Sequence, residues 1–114
     1  MLEFIFLELI APFVIGVLCI IMGILNTKGK IKMLHYYHRK NITEENKIPF
    51  GRKVGIGTII MGCAIILFCI LSLIVYLTQN EIFYLIGYIN LTIGFVIGII
   101  MCFYALIKYN KGIF

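Results

Sequence analysis

One acidic side chain lies inside an otherwise apolar stretch near the amino terminus. Glu8 is followed four residues later by Pro12, which has no N–H, so the Glu8 carbonyl loses its usual helical hydrogen bond. Ionisable residues within membrane spans are costly and often belong to proton or ion pathways. Ser72, Tyr76 and Asn90 are expected at similar depths in other spans, and they predict a polar cluster with Glu8.

Three interpretations of Glu8 stay open. Its carboxylate could reach the headgroup region, form a structural hydrogen bond to another helix, or hold an ion or a substrate. Tyr84 and Tyr88 lie at a comparable expected depth and would extend the cluster. Asn90 is deeper, and a buried asparagine in a membrane most often joins two helices by a hydrogen bond.

Two histidines offer a second kind of chemistry. His35 and His38 are three residues apart, which could place both imidazoles on one metal ion, with Glu44 or Glu45 completing the site. The same residues belong to a stretch, Lys30–Lys40, with the pattern of a short amphipathic helix lying in the membrane interface. Since no third fixed ligand accompanies the histidines, we expect neither a metal site nor any cofactor.

The elements that position these groups are three apolar segments. The chain has 114 residues, of which 62% are hydrophobic and 13% charged, with a mean hydropathy of +1.08. So much apolar surface cannot be buried in a soluble fold of this size. Residues 4–25, 54–77 and 82–107 are each long enough to cross a bilayer as a helix. The sequence predicts a single all-α membrane domain of three transmembrane helices, with loop 26–53 between the first two and a tight turn at residues 78–81.

The basic residues predict the orientation. Of the ten lysines and arginines, eight lie in loop 26–53 and two lie after the third span, while the opposite side holds only Glu3, Glu8 and Glu81. Positive charge marks the cytoplasmic side, so the amino terminus is expected outside and the carboxyl terminus inside the cell. Basic residues at that surface would contact anionic lipid headgroups, at about 1 kcal/mol each. The candidates are Lys28, Lys30, Lys32, Arg39, Lys40, Arg52 and Lys53.

Small residues recur along one face of each predicted helix. In membranes such faces let backbones approach closely and drive helix association. The predicted packing residues are Gly16, Gly23, Gly55, Gly62, Gly94 and Gly98. Gly57 and Ala64 fall outside these stripes and suggest a possible second interface. The stripes could pack against each other, against a second copy or against a partner protein.

Loop 26–53 carries a resemblance to a known family. Its features are Lys28-Gly29-Lys30, the segment Leu34-His35-Tyr36-Tyr37-His38, the acidic pair Glu44-Glu45, and Arg52-Lys53-Val54-Gly55-Ile56-Gly57. The chain resembles the small three-span membrane proteins of unknown function found in Gram-positive bacteria, in which a Gly-Lys junction and a Tyr/His-rich loop join the first two spans. The resemblance implies a bacterial cell membrane and no particular activity.

The sequence therefore favours a non-enzymatic membrane protein. It holds no nucleophile–base pair, phosphate loop or nucleotide fingerprint, and its four cysteines lie within the spans without metal or redox spacing. Nucleic-acid binding is not expected, because the basic residues flank spanning helices. We expect an accessory, regulatory or immunity-type subunit acting by helix–helix association. The alternative is an oligomeric small-solute or ion transporter or channel that uses Glu8.

Overall fold

The computed structural model describes residue 3, residues 5–29 and residues 42–110. Within these ranges the chain forms three long helices and no strand. The first, α1, joins a π-helical segment, Ile5–Ile10, to the α-helix Ala11–Thr27; α2 is Lys47–Thr78; and α3 is Ile82–Tyr109. All three are long and apolar enough to cross a membrane, which confirms the predicted all-α fold with three spans.

The start of α2 differs from the prediction. The ends of α1 and α3 lie within two residues of the predicted limits, but α2 begins at Lys47 rather than at residue 54. Residues 47–53, predicted as loop, are helical. Pro49 is compatible with this start because the first turn of a helix has no internal partners for its N–H groups. The change from charged to apolar residues therefore marks where burial in lipid begins and not where the helix begins.

A short 3₁₀ helix, Glu44–Asn46, precedes α2. Thr43 is the capping residue and has an extended backbone, but its side chain makes no capping hydrogen bond. The Asn46 N–H donates instead to the Thr43 carbonyl at 3.0 Å. The amphipathic helix predicted over Lys30–Lys40 lies outside the described residues.

The turn between α2 and α3 forms an antiparallel hairpin, as predicted. Gln79 adopts the left-handed conformation with φ 60°, and its N–H donates to the Val75 carbonyl at 2.7 Å. The Asn80 side chain then accepts the Ile82 N–H at 3.1 Å, which satisfies a free donor at the start of α3. We call this end of the bundle, which holds Glu3, Glu8 and Glu81, the acidic end. The opposite end, which holds Lys28, Lys47, Arg52, Lys53 and Lys108, is the basic end.

Glycines on both sides hold α1 against α2. A Cβ added at Gly16 would lie 3.1 Å from the Gly62 carbonyl oxygen, and one at Gly23 would lie 2.7 Å from the Gly55 carbonyl oxygen. The two contacts are seven residues apart on each helix, in opposite directions, as antiparallel packing requires. Any larger residue would push the backbones apart, so these glycines are needed for close approach.

The face of α2 that carries Gly57 and Ala64 packs against α3. A Cβ at Gly57 would lie 2.8 Å from the Gly98 carbonyl oxygen, and one at Gly94 would lie 2.6 Å from the Ala64 Cβ. Gly55 and Gly57 point about 200° apart around the helix, so α2 contacts its two neighbours with different faces. The possible second interface is thus the α2–α3 contact, and α2 lies between the other two helices.

Core burial follows from this central position of α2. Within the most apolar window of each helix, 33% of α2 is buried, compared with 6% of α1 and 22% of α3. At the basic end, Phe50 and Val54 of α2 pack with Ala105 and Leu106 of α3. The Phe50 ring meets the Tyr109 ring edge-on, with 6.4 Å between centroids. Direct contact between α1 and α3 is sparse.

Candidate functional site

The π-helical segment at the start of α1 positions Glu8. This irregular turn, Ile5–Ile10, ends two residues before Pro12, which cannot donate a backbone hydrogen bond. A π-helical turn is uncommon and occurs frequently at functional sites. Glu8 is half-buried on this turn, whereas Phe6, Leu7 and Ile10 around it are exposed.

Glu8 is hydrogen-bonded to Tyr84. The Tyr84 hydroxyl donates to Glu8 Oε2 at 2.7 Å, and this bond joins α1 to α3 at the acidic end. The Tyr84 ring lies 6.3 Å from the Tyr88 ring, and the Tyr88 ring lies 5.2 Å from that of Phe68 on α2. A row of three aromatic side chains therefore begins at the bond between Glu8 and Tyr84. Through this row and the bond, residues of all three helices are in contact at the acidic end.

A thiol from α2 reaches the same turn of α1. The Cys69 sulfur donates to the Leu9 carbonyl oxygen over 3.7 Å, one residue along from Glu8. Thiols are weak donors, so the contact contributes less than the bond between Tyr84 and Glu8. The contact shows how α2 is positioned along the axis of α1. The next turn of α2 lies at the depth of the bond between Glu8 and Tyr84.

Ser72 lies on that next turn of α2 and is fully buried. Its hydroxyl is the one buried side-chain oxygen or nitrogen without a hydrogen-bond partner in the described part of the chain. A buried hydroxyl without a partner is unfavourable by about 1–3 kcal/mol. Tyr76 lies one turn closer to the acidic end and is half-buried.

Asn90 makes a separate contact. Its side-chain amide donates to the Ala64 carbonyl at 3.1 Å, which links α3 to α2. Asn90 is six residues beyond Tyr84, or about 9 Å along the helix axis. The structure thus brings Glu8 together with Tyr84, one of the two tyrosines expected to extend the cluster, and gives Asn90 its own partner.

A cleft between α2 and α3 lies nearer the basic end. It has a volume of about 270 Å³ and is lined mainly by apolar side chains, among them Phe50, Met61 and Leu106. Its two polar members both donate to the Val54 carbonyl, the Thr58 hydroxyl at 2.8 Å and the Cys102 sulfur at 3.8 Å. Because both groups donate to a backbone carbonyl, the described lining of the cleft is apolar space and does not resemble a catalytic site.

The predicted lipid and metal ligands are only partly described. Lys28 and Arg52 are exposed at the basic end, and Lys53 is half-buried. Lys30, Lys32, Arg39 and Lys40 lie outside the described residues, as do His35 and His38. Residues 5–29 and 42–110 contain no group of three or more potential metal ligands. The cysteines Cys19, Cys63, Cys69 and Cys102 are all free.

Comparison with known protein families, with curated proteins and with solved structures finds no match for this chain.

Proposed function

We propose that this chain is a non-enzymatic integral membrane protein that acts by helix–helix association, as an accessory, regulatory or immunity-type subunit of another membrane protein. The observation that carries the proposal is the surface of α1. Only 6% of its most apolar window is buried within the chain. Its remaining surface is a continuous row of large apolar side chains that another transmembrane helix could cover.

The polar groups of the spans favour this function over transport. Glu8 is bonded to Tyr84 and Asn90 to the Ala64 carbonyl, so each is used to join helices of the same chain. The small-residue stripes are likewise occupied by contacts inside the chain. A partner would therefore meet large side chains on one face of α1, including Val14 and Leu18, which are 49% and 53% exposed.

The proposed location is a bacterial cell membrane, with the amino terminus outside and the carboxyl terminus in the cytoplasm. The bacterial membrane follows from the family resemblance. The orientation follows from the charge distribution, since all ten basic residues fall in the sequence either within segment 26–53 or after residue 107. A reporter fused after Phe114 should be active only in the cytoplasm. Activity of that reporter outside the cell would contradict the orientation.

Photo-crosslinking tests the association. A photoreactive amino acid at Val14 or Leu18 should capture the same membrane protein in cells. The matched position is Ile97 on α3, which is 44% exposed at a similar distance from the helix ends. We expect that protein to be identified from both α1 positions and to be absent at Ile97. Capture of lipid or of a second copy alone at both α1 positions would contradict the proposal.

A second candidate function is ion or small-solute transport by an oligomer. One observation favours it: the buried Ser72 hydroxyl has no partner and lies at the depth of the Glu8–Tyr84 bond. Three helices enclose little volume, so several copies would have to surround the pathway. Proteoliposomes should then show cation flux that disappears in Glu8→Gln. Absence of flux in the unaltered protein, or unchanged flux in Glu8→Gln, would exclude Glu8 from transport.

A further inference from the structure

Two lysines from different helices meet over one aromatic ring at the basic end. The Lys53 ammonium of α2 and the Lys108 ammonium of α3 each lie 5.6 Å from the centroid of the Tyr104 ring. Lys108 also lies 5.3 Å from the centroid of the Tyr109 ring. Tyr104 and Lys108 are four residues apart and share one face of α3. The arrangement places two positive charges and a phenol on one patch of the surface.

Glu44 and Glu45 are exposed near the basic end, but neither forms a salt bridge with Lys53 or Lys108 within the described residues. The single salt bridge there joins Lys47 to Glu44 at 3.3 Å. Glu3, Glu8 and Glu81 lie at the acidic end, on the other side of the membrane span. Two like charges converging on one ring repel each other, and cation–π attraction at an exposed site offsets this by only about 0.5–1 kcal/mol. The patch is therefore complementary to an anion.

The patch lies at the depth of lipid headgroups. Lys53 is the last charged residue before the uncharged run 54–77. The 28 residues of α3 would extend about 42 Å, which exceeds the roughly 30 Å of a hydrocarbon core. Tyr104 and Lys108 lie in its final turns, where tyrosines commonly mark the membrane–water interface.

An apolar track leads from the patch into the bilayer. Ile93, Ile97 and Ile100 lie on the same face of α3 as Tyr104, and they are 54%, 44% and 61% exposed. From Ile93 to Tyr104 the helix rises about 16 Å, which is close to the thickness of half a hydrocarbon core, about 15 Å. A phosphate at the two lysines would therefore leave an acyl chain lying along these isoleucines.

We propose that Lys53, Tyr104 and Lys108 form a binding site for one anionic phospholipid. Both ammonium groups and the Tyr104 hydroxyl donate hydrogen bonds to its phosphate, and its acyl chain packs on the isoleucine track. The site differs from diffuse attraction to loop 26–53, because it requires a cation from each of two helices and a ring between them. It is also independent of any partner protein on α1.

Tryptophan fluorescence can measure this lipid directly. The chain contains no tryptophan, so Ile100→Trp introduces a single reporter on the apolar track. In bilayers, phosphatidylglycerol with brominated chains should quench this reporter more than brominated phosphatidylcholine does. Lys53→Gln with Lys108→Gln should lower the relative association constant for phosphatidylglycerol by about fivefold or more. The matched variant, Lys28→Gln with Arg52→Gln, removes the same charge from the same end, where we expect only diffuse attraction to headgroups, and should lower the association constant clearly less than the Lys53 and Lys108 pair does.

Two further measurements separate a lipid site from loss of folding and from binding of free phosphate. Lys53→Arg with Lys108→Arg retains both cations and should keep the preference, provided that circular dichroism shows unchanged helicity in every variant. Excess inorganic phosphate at constant ionic strength should leave the quenching unchanged. Equal loss in both glutamine pairs, no preference for phosphatidylglycerol, or displacement by free phosphate would each overturn the proposal.

Discussion

On the face of α2 that meets α1, glycine backbones contact each other at two levels, Gly16 with Gly62 and Gly23 with Gly55. On the face that meets α3, backbones approach closely at Gly57 and Gly98, and side chains make the contacts elsewhere. Backbone atoms in a helix cannot move aside, whereas side chains can change rotamer. The α1 interface should therefore be sensitive to one added methyl group, and parts of the α3 interface should tolerate it.

The largest effect is expected from Gly55→Ala. The new Cβ would meet the Gly23 carbonyl oxygen and lie 2.8 Å from the Thr27 backbone nitrogen, and neither can move without shifting α1. We expect the free energy of unfolding to fall by about 2–3 kcal/mol, measured by titration with denaturing detergent and followed by circular dichroism. A change near zero would show that α1 does not pack closely on this face.

Removal of the hydrogen bond between Tyr84 and Glu8 tests whether α1 is also held at the acidic end. Tyr84→Phe should cost about 1 kcal/mol of stability, and this cost should vanish when Glu8 is already leucine. Tyr88→Phe is the matched control, because its hydroxyl is one helical turn away from the one bonded to Glu8. Equal effects of Tyr84→Phe in both backgrounds would contradict the bond.

Asn90 provides a polar attachment on the α3 face. Asn90→Leu removes the bond to the Ala64 carbonyl and should cost about 0.6 kcal/mol, the average for such bonds in a membrane protein. The exposed Thr92, two residues away on α3, serves as the control in Thr92→Leu. Similar losses at both positions would mean that the amide contributes no specific interhelical bond.

The smallest effect is expected from Gly87→Ala on the α3 face. Its Cβ would lie 3.0 Å from Cδ2 of Phe68, a side-chain atom that can move by a few tenths of an ångström. Alanine also favours a helix over glycine by about 0.8–1.0 kcal/mol in water, which offsets the adjustment. We expect stability in the detergent titration to stay within about 0.5 kcal/mol of the unaltered protein. A loss as large as that of Gly55→Ala would remove the distinction between the two faces.

The sequence was sufficient for the three spans and for most of the packing glycines. Hydropathy determines which residues can lie in lipid, and the recurrence of small residues marks where helices approach. It could not determine that α2 lies in the middle, because the intervals between Gly55 and Gly62 and between Gly57 and Ala64 are equal. Only the positions of α1 and α3 show that Gly55 and Gly62 contact α1, whereas Gly57 and Ala64 contact α3.

The candidate site was less predictable. Glu8 was identified because a carboxylate in an apolar segment is costly, yet its partner could not be derived from depth alone. Tyr84, Tyr88, Ser72 and Tyr76 all have a comparable expected depth, and the rotations of α2 and α3 about their axes decide which hydroxyl reaches the carboxylate. The lysine patch at Tyr104 was missed for a related reason. Lys53 and Lys108 are 55 residues apart and converge only through the α2–α3 register.

The most direct test of the account is disulfide formation between α1 and α2 within one chain. Leu9 and native Cys69 line the same cleft between α1 and α2, so Leu9→Cys should form a disulfide with Cys69 on mild oxidation when the other three cysteines are alanine. Leu7→Cys, at an exposed position two residues away, should not. Rapid formation of an intramolecular bond by Leu9→Cys alone is the predicted result. Equal crosslinking at both positions, or crosslinks only between separate chains, would contradict the packing of α1 on α2.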